Sequence, residues 1–497
     1  MQLWDLFAAA RDRAPGAPAL RLPDGSARSY EELLAGAERL AGALARRGLA
    51  RGDRLALWLG NGEELVLAYL AALRLGAVAL PLNLAYRRAE LTHVLADAEP
   101  RLLLAEREGL PVLAELGDGA LGGTETLLAE ELAGLPGGMP PAGPLAGEDE
   151  LALLLYTSGT TGRSKGAMLT HNNLLATVTG LLAAWRWERG DRLLLALPLF
   201  HTHGLVVGLL TALAAGATVL LRRRFDAEAA LDDLAGGEAT LLFGVPTMYV
   251  RLVEALRRRG PTALPAARLC CSGSAPLAPE TFAAFRELTG HAILERYGMT
   301  ETGMLLSNPY AGERLPGTVG TPLPGVSARV VDREGRDVTS GAEGELLVRG
   351  GNVFAGYWRD AAKTQESFAR DEEGRRWFRT GDLARRDPAT GHYTLLGRSR
   401  ELILRGGFNV YPREVEETLA GFAGVREVAV VGRPDAEWGE VPVAFVVADG
   451  GALDEAALLA HCGRELARFK VPAAVRLVES LPRNALGKVQ KHLLPTE

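Results

Sequence analysis

Cysteine is scarce in this chain: Cys270, Cys271 and Cys462 are the only three in 497 residues. Their spacing matches no metal-ligand pattern, and two adjacent cysteines cannot easily bridge within a strand. A disulfide scaffold and a cysteine metal centre are therefore excluded, and reduced core thiols of a cytosolic protein are expected. An excess of either charge is also missing. Lysine and arginine total 55 against 61 acidic residues, a net charge of −6, so no basic field points to nucleic acid or to an anionic membrane. The short runs Arg222 to Arg224 and Arg257 to Arg259 read as solvated element ends. No basic stretch precedes an apolar core in Met1 to Asp5, so no secretory leader is expected and a cytoplasmic location is. Internal repeats are absent. One stretch, Leu193 to Leu221, has no Asp, Glu, Lys or Arg and is long enough to raise the membrane question, since a span needs about 20 apolar residues. Pro198, His201, Thr202, His203 and Gly204 interrupt it, so a buried strand to Pro198, a polar loop and a helix from about Leu205 are expected.

The length suggests about two to four domains or subdomains. After a short leader, apolar spacing predicts a helix over Tyr30 to Arg47, a strand over Arg54 to Leu59 and a helix over Glu63 to Leu75. A strand at Val78 to Leu82, a helix at Arg88 to Ala98 and a strand at Leu102 to Ala105 follow. This alternation predicts a parallel sheet covered by helices. Gly109 to Asp149, with Pro136-Gly-Gly138 and Pro140 to Pro144, reads as a surface loop. From Leu151 to Asn308 a second alternation predicts another α/β layer, with strands at Leu193 to Leu197, Thr218 to Leu221, Thr240 to Phe243, Ala267 to Cys271 and Ala292 to Leu294. Short β-like runs such as Ser327 to Val331 and Gly344 to Val348 suggest a β-rich subdomain up to about Leu396. Beyond Arg398, strands at Val425 to Val431 and Val441 to Val447 and a helix over Asp454 to Ala467 predict a separate α+β cap. The fold class expected is α/β, with a large amino-terminal domain over residues 1–397 and a cap over 398–497.

The stretch with the strongest chemical content is Tyr156-Thr-Ser-Gly-Thr-Thr-Gly-Arg-Ser-Lys-Gly-Ala167, after the apolar run Leu151 to Leu155. It reads as a strand opening into a phosphate loop. Small residues let the N–H groups from Ser158 through Gly159, Thr160 and Thr161 to Gly162 face one concavity, the hydroxyls of Thr157 and its neighbours add donors, and Lys165 adds a full charge. A Walker loop is excluded, because Gly166 rather than Ser or Thr follows the lysine.

This stretch resembles the signature of the adenylate-forming superfamily of acyl-CoA synthetases, luciferases and peptide-synthetase adenylation domains. Further motifs of that superfamily follow in its order along the whole chain. In Leu294-Glu-Arg-Tyr-Gly-Met-Thr-Glu-Thr302, the resemblance assigns Glu295, Arg296, Tyr297, Gly298 and Thr300 to the nucleotide and Gly298 and Met299 to the acid. It assigns Glu301 to Mg²⁺, a hard cation that bridges phosphates through oxygen ligands. Ser272-Gly-Ser-Ala-Pro276 resembles the adenine-binding turn, through Gly273, Ser274 and Ala275, with Ser272 toward the substrate. Trp377-Phe-Arg-Thr-Gly-Asp382 resembles the ribose stretch, where Asp382 accepts from the hydroxyls and Arg398 completes the contacts. Pro482-Arg-Asn-Ala-Leu-Gly-Lys-Val489 presents Lys488 as the catalytic lysine that stabilises charge during attack on the α-phosphate. Its context also resembles lysines modified by an acetyltransferase. A hinge is implied in 398–401, where Arg400 replaces the usual Asp or Lys, and Gly406, Gly407 and Phe408 are implied to line the coenzyme A channel.

The resemblance implies ATP, Mg²⁺ and coenzyme A, with a small carboxylic acid as substrate: acid and ATP give an acyl-adenylate, and the coenzyme A thiol then displaces AMP. His201, in Leu197-Pro-Leu-Phe-His-Thr-His-Gly204, resembles the gating histidine beside the acyl pocket. Malonyl-CoA synthetases are resembled most, through Trp185-Arg-Trp187, the His201 segment and Phe243-Gly-Val-Pro-Thr-Met-Tyr249 with Arg251. Malonate or methylmalonate is thereby implied, with Arg251 expected to grip the second carboxylate. Fatty or aromatic acyl-CoA synthetases stay open, since Gly407 to Pro412 matches many of them, and a module loading a carrier protein is the other alternative.

Overall fold

A computed structural model describes residues 2–116, 121–138, 140, 146–157, 164–406, 408–435, 437–451, 453–484 and 488–495. The chain divides into two compact units. The first comprises Met1–Pro316, Gly320–Ser327 and Val348–Phe378; the second comprises Gly317–Val319, Ala328–Leu347 and Arg379–Glu497.

The first unit holds two large sheets. Parallel strands in the spatial order Pro18–Arg21, Thr218–Leu221, Arg192–Leu195, Leu241–Gly244, Leu269–Ser272 and Leu294–Met299 form the middle of a nine-stranded sheet. Antiparallel neighbours close it at Ala27–Ser29 and at Gly303–Ser307 with Thr321–Pro322. The parallel strands are buried on both faces, which is why they read as unbroken Leu, Val and Cys runs rather than alternations. The seven-stranded sheet runs Gly356–Tyr357, Lys165–Thr170, Leu151–Thr157, Val78–Pro81, Arg54–Trp58, Leu102–Ala105 and Glu125–Leu128. Helices fall where the apolar spacing puts them, at Tyr30–Arg46, Glu63–Leu75 and Arg88–Ala98. The first is fixed by a capping box in which Ser29 and Glu32 each accept the other's backbone N–H.

Four expectations are corrected. Residues taken for a leader form the helix Leu3–Arg13 and the strand Pro18–Arg21, whose partner lies some 200 residues on. The supposed loop after Gly109 contains the strand Glu125–Leu128, paired with Leu102–Ala105. The strand Leu151–Thr157 joins the first α/β layer beside Val78–Pro81, not the second. The helix expected from Leu205 is a π-helix over His203–Leu210 continued by Thr211–Ala215. No helix of the described residues is long and apolar enough to cross a membrane.

In the second unit, Val425–Asp435 and Gly439–Ala448 form a long antiparallel pair. Ala474–Leu477 runs parallel to the latter, and the short hairpin Ile403–Arg405 with Phe408–Val410 sits beyond it. Helices Pro412–Ala420 and Glu455–Glu465 cover one face, packing Val415, Leu419, Leu458 and Cys462 on Ile403, Val430 and Val446. Leu481 and Leu494 cover Ala429, Val443 and Phe445. The β-rich part pairs Arg376–Arg386 with Tyr393–Arg398. The protein is thus mixed α/β, with large sheet-and-helix layers ahead of a β-rich carboxy-terminal part.

Candidate active site

On the first unit, Leu151–Thr157 and Lys165–Thr170 pair in antiparallel register with Thr157 opposite Lys165. The two strands flank the segment expected to hold phosphate; Ser158, Gly159, Thr160, Thr161 and Gly162 lie outside the described residues. Lys165 Nζ lies 3.1 Å from Asp360 Oδ2. Glu301 is buried, and one of its carboxylate oxygens accepts from Tyr357 Oη at 3.0 Å. No group of three or more His, Cys, Asp or Glu converges among the described residues. A single buried, oriented carboxylate nevertheless fits Mg²⁺, which takes one or two carboxylates and draws its other ligands from substrate phosphates and water.

The second cluster forms where parallel strands end together, the place where open α/β sheets bind ligands. Gly244 pairs with Ser272, and Ser272 with Glu295. The next residue, Arg296, is buried, and its guanidinium lies against Gly273, where a Cβ would stand 2.4 Å from the guanidinium carbon. Only glycine leaves that space. Ser274 takes a left-handed φ of 71°, uncommon for a serine, and its hydroxyl meets His203 Nδ1 at 3.2 Å. His203 opens the π-helix, a widened turn often found at functional sites.

Orphaned polar atoms concentrate here. Thr202 Oγ1, His203 Nε2, Ser272 Oγ and Arg296 Nε and Nη2 are buried with no hydrogen-bond partner among the described residues, whereas most buried polar groups are paired. Burial, and then the nearby Arg296 charge, push the His203 imidazolium well down. Burial lowers His201 to about 4 and also lowers Arg296. The site thus combines two neutral imidazoles with a buried cation, and such a cation is costly until an anion pairs with it.

Arg296, expected among the nucleotide contacts, lies in this cluster. Arg251, expected to grip a buried carboxylate, is exposed on Pro246–Arg259, whose buried side carries Tyr249, Leu252 and Val253. Tyr297 is buried and its hydroxyl donates to Met299 Sδ at 3.8 Å. Gly298 and Met299 end the same strand, and Thr300 follows in the turn before Glu301. Ala275 lies in the bend after Ser274.

In the second unit, Asp382 is buried and paired with Arg398 Nε at 2.8 Å, on directly opposite strand positions. Arg398 Nη1 also donates to the Thr380 carbonyl at 3.1 Å. Surrounding protein atoms and then the Arg398 charge push the Lys488 ammonium down, while Asp382 and Glu401 oppose them, although Lys488 keeps a solvent-exposed edge. Asp382, Arg398 and Lys488 thus share one electrostatic neighbourhood. The 398–401 stretch lies in this unit, with Ser399–Glu401 as a short 3₁₀ turn.

Gly406 and Phe408 border a feature that no local motif reveals; Gly407 lies outside the described residues. Phe408 and Trp438 are 57% and 44% exposed. Phe408 stacks on Phe469 with ring centroids 4.8 Å apart, and the Arg405 guanidinium stands 5.7 Å from the Trp438 ring. Gly406 has φ 55° and donates to the Trp438 carbonyl at 2.7 Å, and a Cβ there would stand 2.8 Å from the indole. The result is an exposed platform of flat rings and cations.

Two family models match the chain: AMP-binding enzyme over residues 7–358 and AMP-binding enzyme C-terminal domain over 414–488. The sulfoacetate–CoA ligase of Cupriavidus necator is 38% identical over 491 residues, covering 96% of this chain and 94% of that one. The human mitochondrial malonate–CoA ligase ACSF3 is 36% identical over 515 residues, covering 94% and 87%. An indoleacetate–CoA ligase of Aromatoleum aromaticum stands at 37%. Among solved structures, ATP-bound MatB from Rhodopseudomonas palustris superposes with a TM-score of 0.91 at 42% identity, covering 99% of this chain and 98% of that one.

Proposed function

The chain belongs to the AMP-binding enzyme family and is an AMP-forming acid–thiol ligase, and we propose that its acid is malonate. The observation that carries this choice is Arg296, a buried guanidinium beside the Cys271 thiol, with two nitrogens that have no hydrogen-bond partner among the described residues and with neutral hydroxyl and imidazole groups around it. A monocarboxylate gives its only charge to the reaction and leaves that cation unpaired. Malonate has a second carboxylate to place there, as a charge-assisted contact. The malonate–CoA ligase relative supports the same acid. Sulfoacetate is the second possibility, because its sulfonate offers the same charge and a relative carries that name.

In the first half-reaction, one malonate carboxylate oxygen attacks the α-phosphorus of ATP and pyrophosphate leaves. In the second, the coenzyme A sulfur attacks the acyl carbon, the thiol proton is lost and AMP leaves. No bond to the protein forms. Lys165 and the loop it closes take the phosphates, Asp382 and Arg398 the ribose, and Lys488 the charge that develops at the α-phosphate. Neutral His201 and His203 border the acid without competing with Arg296 for its anion. Glu301 would hold Mg²⁺, which would supply positive charge to offset that of the phosphates. The platform of Phe408, Trp438 and Arg405 suits the adenine ring and phosphates of coenzyme A. The division at 397/398 with a hinge in 398–401 is part of the same proposal. Pyrophosphate release with ATP and coenzyme A across malonate, methylmalonate, sulfoacetate, butyrate and indoleacetate tests it. Malonate is expected to give the highest kcat/KM; preference for butyrate or indoleacetate would overturn it.

A further inference from the structure

One ion pair in the first unit joins residues 195 positions apart that no motif connects: Lys165, at the stem of the phosphate loop, and Asp360. Backbone pairing brings them together. Tyr357 pairs with Ala167 and Gly356 with Met168, while Trp358 N–H donates to the Gly166 carbonyl at 2.7 Å. The strand end that carries Lys165 is thereby stitched to the turn that carries Asp360.

Asp360 divides its two oxygens between two tasks. Oδ1 accepts the Lys363 backbone N–H at 2.9 Å, capping the short helix Ala361–Glu366, and Oδ2 faces Lys165 Nζ at 3.1 Å. The Lys363 amide, then the Lys165 ammonium, hold the carboxyl below its ordinary range, so it stays charged. The ammonium also stands 5.9 Å from the Tyr357 ring centroid, and Tyr357 is the residue that orients Glu301. One turn, Tyr357 to Asp360, therefore supports both charged groups assigned above to the phosphate end of ATP. A lysine ammonium has three N–H donors, and Asp360 occupies one. Its long side chain otherwise loses rotamer entropy when phosphate fixes it.

We propose that Asp360 is a positioning residue that presets Lys165 for the triphosphate of ATP, leaving the remaining ammonium protons for phosphate oxygens. This rests on Lys165 meeting phosphate, and not on which acid the enzyme takes. The pair is partly exposed, 26% and 35% at the two side chains, so its effect is that of a modest ion pair, on the order of threefold to fivefold in affinity.

Asp360→Asn is the informative variant, because asparagine caps a helix about as well as aspartate while removing the charge at Oδ2. ATP affinity is measured by titration calorimetry with Mg²⁺ and without acid or coenzyme A, alongside thermal unfolding. The expected result is ATP binding about threefold to fivefold weaker at unchanged Tm. KM values for the acid and coenzyme A are expected to stay within about twofold. In the double variant with Lys165→Ala, binding is expected to be no weaker than with Lys165→Ala alone, as for two residues acting as one unit. Unchanged or tighter ATP binding in Asp360→Asn, or additive losses in the double variant, would show that Asp360 only caps its helix or competes with phosphate. If the wild-type protein itself bound no ATP, the ligase assignment would fall first and this proposal with it.

Discussion

Replacing Arg296 by methionine separates the buried cation's role in selectivity from its role in stability. The side chain is buried within Leu294–Met299, burial lowers its pKa, and two of its nitrogens have no hydrogen-bond partner among the described residues. Removing one member of a buried charge pair costs about 3–5 kcal/mol. With malonate bound, Arg296→Met is therefore expected to lower kcat/KM on the order of 10²-fold to 10³-fold. Butyrate carries no second charge, so its kcat/KM is expected to hold or rise. Ligand-free, the sign reverses: an uncompensated buried charge replaced by an apolar side chain of similar length is neutral or stabilising, by up to about 4 kcal/mol, so Tm is expected not to fall. Arg251→Leu is the control, because an exposed arginine contributes at most about 0.5 kcal/mol to stability. It is expected to change both acids alike and by less than about threefold. Steady-state kinetics on both acids and differential scanning calorimetry suffice. Equal losses on malonate and butyrate in a folded Arg296→Met protein, or selective loss of malonate in Arg251→Leu, would refute the assignment.

Further outcomes follow from the other groups. Lys488→Ala is expected to abolish ATP–pyrophosphate exchange while leaving thioester formation from synthetic malonyl-adenylate largely intact; equal loss of both would remove its assignment to the first half-reaction. Trp438→Ala is expected to raise KM for coenzyme A about tenfold, the scale of one lost base-stacking contact, with KM for ATP unchanged. His201 is held near 4 against about 6.5 when unfolded, so the unfolded chain binds more protons between those values and stability climbs as pH rises through that window, then levels off. His201→Gln is expected to make the denaturation midpoint less dependent on pH between about 4 and 6.5, with the buried His203 keeping part of the slope.

Local chemistry was legible along the chain. The loop stems, the Glu301 turn and the Asp382 strand each sit within a few residues, so spacing and residue type exposed them. Most strands and helices were also legible, because a parallel strand buried on both faces must be apolar throughout and a covering helix must repeat its apolar residues every three to four positions. The strand Pro18–Arg21 was missed because four residues before a turn carry no period, and its membership in a sheet depends on a partner at Thr218–Leu221. Which arginine is desolvated was likewise not legible. Arg251 and Arg296 both follow motif residues, but a helix turns one outward, whereas the absence of a Cβ at Gly273 lets the other lie inside. The pairing of Lys165 with Asp360 and the platform around Trp438 share this origin, since each joins residues that only sheet register or a folded hairpin makes adjacent. Sequence alone thus determined the superfamily, the nucleotide chemistry and most of the elements, because those depend on residues near one another in the chain. Tertiary structure alone decided which charge is buried and what holds it, because desolvation depends on everything packed around a group rather than on its neighbours in sequence.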